Sequence, residues 1–184
     1  MPSYDTATLE RSGTVVVKTG TLRRLLFGRR AQIAGTVYGT VVVMGTVAAG
    51  GSQKNVDPWR LAVFVTVTVV VLWIAHVYAH GLGSSIEAGH RLTRAEFGHV
   101  AHRELGIALA AVAPVAALVL GALGVLRESS AIWLALFLGL LTLVVQGVRY
   151  ARVERLGPLA TIVSVSLNAA LGLVIVGLKA LLAH

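Results

Sequence analysis

The chain has 184 residues, of which 56% are hydrophobic and 13% charged, and its mean hydropathy of +0.80 is well above that of a soluble domain. It has no cysteine, which excludes disulfides, thiolate metal sites and cysteine nucleophiles. The net charge of +8 comes from basic residues that cluster at the ends of apolar segments, where membrane topology explains them, so we expect no nucleic-acid partner. The composition predicts an integral membrane protein.

Residues 1–30 form a basic segment ahead of the first apolar stretch. Within it, TLRRLLFGRR combines leucine pairs and Phe27 with four arginines. This pattern fits a short interfacial helix on anionic lipid, and it fits a solvated basic tail equally well. The segment is too long for the n-region of an ordinary signal peptide, so we expect the first span to stay in the mature protein.

Residues 31–184 contain five apolar segments, each long enough to cross a hydrocarbon core of about 30 Å. The predicted spans are about 31–49, 60–80, 105–126, 131–149 and 159–180. The polar connections between them leave no room for a catalytic domain outside the bilayer. We therefore predict an all-α bundle of five transmembrane helices, with no enzymatic activity and no cofactor.

The distribution of lysine and arginine predicts the orientation of the bundle. Twelve of the 16 lie in the N-terminal segment and in the second-to-third and fourth-to-fifth connections. The remaining four are Lys54, Arg60, Arg127 and Lys179. This bias predicts a cytoplasmic N-terminus and, with five spans, a C-terminus on the exported side.

Glycines indicate where the helices approach one another closely. Gly35 and Gly39 have GxxxG spacing in the first span, and Gly45 extends the same small-residue pattern. Packing within one bundle explains the pattern more simply than a dedicated dimer face. Pro114 is expected to kink the third span and to free a carbonyl near Ala110.

Two histidines at the end of the second span are the main functional candidates. His76 and His80, in WIAHVYAH, lie about 40° apart on one helical face. If the helix continues through Gly81 and Gly83, Glu87 returns to within about 20° of His76. The stripe fits a proton or cation site, whereas a divalent metal on His76 and His80 is a weaker alternative because two ligands do not complete a site.

The third helix brings more polar residues to the same side. Thr93 and Glu96 form a predicted capping box. His99 and His102 follow on one polar arc, and Glu104 enters the bilayer interface. The alternative is that all these residues, together with His80, simply lie at headgroup level.

Few polar residues are expected deeper in the membrane. Asn168 lies near the middle of the fifth span, and Gln146 lies about one turn inside the fourth. Asn168 is expected to join helices more often than to bind a substrate. No acidic or basic residue falls at a predicted midplane, which disfavours a carrier driven by a buried carboxylate and a voltage sensor.

Four segments resemble a family of small multi-pass membrane proteins from high-GC Gram-positive bacteria that has no assigned activity. They are YGTVVVMGTVAAGG, WIAHVYAH, RAEFGHVAHRELGIALAAVAPVAALVLGALG and LNAALGLVIVGLKALLAH. The resemblance implies a location in the bacterial inner membrane and implies no role for any residue.

Two functional hypotheses remain open on the sequence. The first is conduction or transport of protons or a cation by a homo-oligomer, through His76, His80, Glu87 and Glu104, with His99, His102, Asn168 and Gln146 as secondary candidates. The second is a noncatalytic subunit or scaffold, which docks partner proteins of a larger membrane complex through the glycine faces and the basic tail.

Overall fold

The computed structural model describes residues 32–53, 56–91 and 93–182. The predicted interfacial helix in residues 1–30 lies outside these ranges. All regular secondary structure in the described residues is helical, which confirms the predicted all-α class for this part of the chain. The helices are α1 (Gln32–Gly50), α2 (Pro58–Ala88), α3 (Arg94–Arg103), α4 (Leu105–Leu109), α5 (Val112–Ala122), α6 (Glu128–Val153) and α7 (Pro158–Leu182).

Four of these helices, α1, α2, α6 and α7, are long and apolar enough to cross a membrane. A fifth span results if the helices from Arg94 to Ala122 are taken as one broken span, bent by 47° between Leu109 and Val112. The described chain is therefore consistent with a helical membrane bundle of four or five spans.

The bend in the third span lies beside a proline. Pro114 is in the first turn of α5, and it has no N–H with which to donate to the carbonyl of Ala110, four residues earlier. The helix is interrupted at Ala110 and Ala111, next to that carbonyl. The kink expected from Pro114 is therefore found at the expected place.

Helix α2 is longer than its apolar part. It begins at Pro58, where the Asp57 side chain accepts a hydrogen bond from the backbone N–H of Trp59, and its 31 residues end before Gly89, whose φ is 69°. Gly81 and Gly83 do not interrupt it. At 1.5 Å per residue its length is about 46 Å, which exceeds a hydrocarbon core of about 30 Å. Helix α2 ends at Ala88, beyond the end of the predicted span at residue 80.

A single apolar core joins α1, α2, the broken span and α6. Its fully buried side chains include Val43, Met44, Val47, Val65, Ile107, Leu118, Leu136 and Leu143. Helix α7 packs mainly along α6, and only 11% of its most apolar window is buried. The bundle therefore has a compact centre of four elements and a peripheral last helix.

The first two glycines of the predicted packing face lie against α4. A Cβ added to Gly39 would be 2.7 Å from the carbonyl oxygen of Ile107, and one added to Gly35 would be 3.4 Å from the Ile107 side chain. Gly45 has no neighbour within 4 Å of such a Cβ. Gly35 and Gly39 thus serve packing within the bundle, whereas Gly45 does not take part in that contact.

Candidate functional site

Most of the predicted site lies at one end of the bundle, formed by the second half of α2, by α3 and by the start of α4. We call it the histidine end. Helices α2 and α3 are joined by a hydrogen bond of 3.3 Å from the indole Nε1 of Trp73 to the backbone carbonyl of Ala101. This bond places the last turn of α3 beside the histidines of α2.

Glu104 and His80 form the closest polar contact of the site. Glu104 lies at the break between α3 and α4, and this residue is only 4% exposed. Its Oε1 lies 2.9 Å from Nδ1 of His80, whose side chain is 52% exposed. The contact has the distance of an ion pair, but its angle is poor, so Oε1 receives no well-aligned hydrogen bond within the described chain.

His76 lies one turn earlier on α2, beside Tyr38 of α1. Its ring centroid is 5.1 Å from that of Tyr38 and 6.2 Å from that of His80. Its Nδ1 lies 3.1 Å from the carbonyl oxygen of Leu72. Because a carbonyl only accepts, Nδ1 is the donor in this contact, and in the neutral ring Nε2 is then a hydrogen-bond acceptor.

Two clefts of similar size flank His80. The inner cleft, of about 310 Å³, is lined by Ala34, Gly35, Tyr38, His76, His80, Arg103 and Glu104. The outer cleft, also of about 310 Å³, is lined by Ala79, His80, Gly83, Ser84, Glu87, Val100 and Arg103. His80 and Arg103 belong to both. Glu87 therefore shares a cleft with His80 and lies outside the cleft that contains His76.

The two histidines of α3 are not part of this arrangement. His99 and His102 are exposed and line neither cleft.

Glu96 closes the predicted capping box, with its Oε2 2.8 Å from the backbone nitrogen and 2.9 Å from the hydroxyl of Thr93. The backbone N–H of Thr93, and then its hydroxyl, lower the pKa of the Glu96 carboxyl.

Gln146 and Asn168 lie apart from the histidines, on α6 and α7. The Asn168 amide donates to the carbonyl of Ser164 in its own helix at 3.0 Å, and the Ser164 hydroxyl donates to the carbonyl of Gly147 on α6 at 3.4 Å. Both amides line a groove of about 980 Å³ between α1 and the α6–α7 pair. Tyr38 and Ala34 line this groove and the inner cleft alike.

A buried lysine at the opposite end, which we call the lysine end, has a role that the sequence did not reveal. Lys179 is 5% exposed, and its Nζ donates to the carbonyl of Gly51 at 3.0 Å. The same ammonium lies 5.7 Å from the centre of the Trp133 ring. It binds a carbonyl just beyond the C-terminus of α1, where the helix dipole favours a cation. In the sequence, Lys179 counted only as one of the four basic residues on the predicted exported side.

Tyr38 was also missed. It is an aromatic residue in the first span, and only the packing of α1 beside α2 brings its ring to His76. A tyrosine in an apolar run is the one sequence signal that could have indicated it.

Within the described ranges, no three histidine, aspartate or glutamate side chains converge to hold a metal ion. The structure places one carboxylate and two imidazoles, groups that can exchange protons, at the inner cleft. The structure thus brings together His76, His80 and Glu104, places Glu87 one cleft further out, and separates the other candidates from them.

No protein-family model, curated protein or solved structure matches this chain significantly.

Proposed function

We propose that this chain is a small integral membrane protein, without enzymatic activity, that conducts or transports protons or a cation through His76, His80 and Glu104. The observation that supports this is the 2.9 Å contact between His80 and a carboxylate that is almost fully buried at a helix break. Burying an ionisable group is costly, so such a group beside a water-accessible partner indicates a function.

We further propose that the histidine end faces the cytoplasm of a bacterial inner membrane, with the C-terminus exported. The charge bias supports this orientation, because the histidine end carries Arg91, Arg94 and Arg103 in its connection, together with Arg149, Arg152 and Arg155 from the next. The lysine end has Arg60, Arg127 and Lys179. The family resemblance supports the bacterial location.

In the proposed mechanism, a proton from water in the outer cleft, where Glu87 lies, reaches His80. His80 then shares the proton along its contact with Oε1 of Glu104, inside the inner cleft. Nε2 of His76 provides a second acceptor in that cleft. Each step moves one proton between nitrogen and oxygen atoms and needs no other reactant.

Beyond this site the centre of the bundle is apolar. Thr40 is fully buried, but its hydroxyl donates to the carbonyl of Thr36 in its own helix at 2.7 Å. Residues 129–148 of α6 and 159–178 of α7 contain no charged side chain. We therefore propose that a homo-oligomer completes the pathway, since five helices barely enclose one.

Proteoliposomes containing the full chain test the proposal. A pH gradient should drive a proton flux that falls at least tenfold in His76→Ala and His80→Ala. His99→Ala is the matched control, because His99 is an exposed histidine of the same end that lines neither cleft. Unchanged flux in both test variants, measured at equal protein incorporation, refutes the proposal.

A scaffold or subunit role is the second candidate, and the exposure of α7 favours it. Only 11% of the most apolar window of α7 is buried, and Gly177 has no neighbour within 4 Å of an added Cβ. Such a helix face is suited to packing against another transmembrane helix. Purification from native membranes in mild detergent separates the candidates: stoichiometric foreign subunits support the scaffold, and a homo-oligomer contradicts it.

A further inference from the structure

Arg103 lines both clefts of the histidine end. It is the last residue of α3, it is exposed, and it belongs together with His80 to the inner and to the outer cleft. Within residues 32–53, 56–91 and 93–182, no carboxylate forms an ion pair with its guanidinium. An ion that moves between the two clefts past His80 therefore meets a positive charge that no ion pair neutralises.

Each cleft combines one carboxylate with this shared guanidinium. Glu104 lines the inner cleft and Glu87 the outer, and no other acidic, lysine or arginine side chain of the described residues lines either of them. While His76 and His80 are uncharged, Arg103 balances the carboxylate of either cleft. Without Arg103 each cleft would keep a carboxylate beside imidazoles, and these are groups that bind metal cations in proteins.

The clefts are small enough for this charge to act on an ion anywhere inside them. A volume of about 310 Å³ corresponds to a sphere roughly 8 Å across, a distance similar to the Debye length of about 8 Å at physiological ionic strength. Salt therefore screens the guanidinium only in part. A guanidinium also keeps its charge over the pH range in which histidines usually titrate.

A proton can pass this charge in a way that a metal cation cannot. It enters by exchange with an imidazole nitrogen, and protonated His80 would hold its positive charge 2.9 Å from Oε1 of Glu104, which compensates for the repulsion by Arg103. A metal cation must instead occupy the cleft as an ion. Fixed positive charges along a pathway raise the barrier to such ions.

We propose that Arg103 excludes metal cations from the clefts, so that the transported ion is the proton. This assignment rests on the proposed function, because it selects between the two kinds of ion named there. Arg103 acts through its charge and its position at both clefts, and it takes no part in the transfer of the proton itself.

Paired flux measurements on the full chain in proteoliposomes test the assignment. A pH-sensitive dye reports proton flux, and radioactive Rb⁺ reports the flux of a metal cation. We expect the unmodified chain to carry protons and no more Rb⁺ than empty vesicles. Arg103→Gln should raise the ratio of Rb⁺ to proton flux by about tenfold or more, equivalent to about 1.4 kcal/mol, whereas Arg103→Lys should keep the ratio low.

Arg94→Gln is the matched control. Arg94 is an exposed arginine of the same helix, and it lines neither cleft. The variant therefore removes the same charge from α3 away from the proposed path, and its flux ratio should equal that of the unmodified chain.

Equilibrium binding of Mn²⁺ to the purified full chain in detergent tests the same charge without any flux. Mn²⁺ is suited to carboxylate ligands. Arg103→Gln should bind it about tenfold more tightly than the unmodified chain or Arg94→Gln does. Adding Glu87→Gln and Glu104→Gln to Arg103→Gln should remove this gain. Thermal unfolding of each variant verifies that it is folded.

Four results overturn the assignment. The unmodified chain carries Rb⁺ as readily as protons, Arg103→Gln leaves the flux ratio or the Mn²⁺ binding unchanged, Arg94→Gln has as large an effect as Arg103→Gln, or the gain in Mn²⁺ binding persists without the two carboxylates. A gain in Mn²⁺ binding by Arg103→Gln in a chain that carries no protons has a different meaning. It refutes the proposed function and leaves the exclusion of metal cations from the clefts standing.

Discussion

Nδ1 of His80 lies 2.9 Å from Oε1 of Glu104, and the two side chains differ greatly in exposure, at 52% and 5%. The histidine lines two clefts, whereas the carboxylate lines one of them and is nearly buried at the break between α3 and α4. The pair thus connects solvent to a buried acid. It also links α2 to the start of the bent span.

The first prediction concerns Glu104→Gln, which keeps the shape of the side chain and removes its charge. We expect the free energy of unfolding to change by less than about 1 kcal/mol, because the lost contact with a half-exposed histidine is offset by the lower cost of burying an amide. Proton flux should fall at least tenfold. The two measurements are denaturation in mixed micelles and flux in proteoliposomes. Full flux in a correctly folded Glu104→Gln protein would show that this carboxylate carries no protons.

The second prediction compares two glycines of α1. Gly39→Ala should lower the free energy of unfolding by about 1–3 kcal/mol, because the new Cβ would lie 2.7 Å from the Ile107 carbonyl oxygen and must displace α4. Gly45→Ala has open space and should be neutral or stabilise by up to about 1 kcal/mol. Denaturation of both variants in the same detergent measures the difference. Equal effects would contradict the close contact of α1 with α4.

The third prediction concerns Lys179→Met, which keeps an unbranched apolar stem and removes the ammonium. The variant should lower the free energy of unfolding by about 1–3 kcal/mol, the contribution of a hydrogen bond to a charged donor, since it loses the bond to the Gly51 carbonyl. Leu178→Met, at an exposed neighbouring position, serves as the control. If Lys179→Met unfolds like the control, the lysine does not hold α7 to the end of α1.

The fourth prediction concerns pH and the start of α3. The pKa of Glu96 is lowered by the hydrogen bonds from Thr93, so the folded state holds the ionised carboxylate more strongly than the unfolded state does. The stabilisation of the folded state that comes from this lowered pKa is fully present above the ordinary glutamate pKa of about 4.3. It is lost as the pH falls through the lowered pKa of Glu96. The protection factors of the amides in α3, which correct for the slower intrinsic exchange in acid, should therefore fall in that acidic range.

Thr93→Ala removes the cap and serves as the matched variant. It should exchange about fivefold faster at neutral pH, as expected for the loss of an N-cap, and should respond less to acid. If Thr93→Ala and the unmodified chain respond identically to acid, the acid response of α3 does not arise from the capping box.

Local chemistry allowed much of the helical architecture to be predicted. Apolar runs of sufficient length predicted helices compatible with spans, Thr93 and Glu96 predicted the capping box, and Pro114 predicted the bend. Each depends on residues within a few positions of one another, where backbone sterics and hydrogen bonding decide the outcome. The end of α2 was harder to place, because Gly81 and Gly83 permit either a break or a continuation.

The sequence by itself determined that the described chain is helical and apolar, and that its histidines gather near one end. Only the tertiary structure decided that Glu104 meets His80, that Tyr38 packs on His76 and that Lys179 reaches Gly51. The two members of each pair lie on different segments of the chain, so their contacts depend on how the helices are rotated and shifted along one another. Rotation and shift follow from close packing at residues such as Gly39 against Ile107, and hydropathy does not encode them.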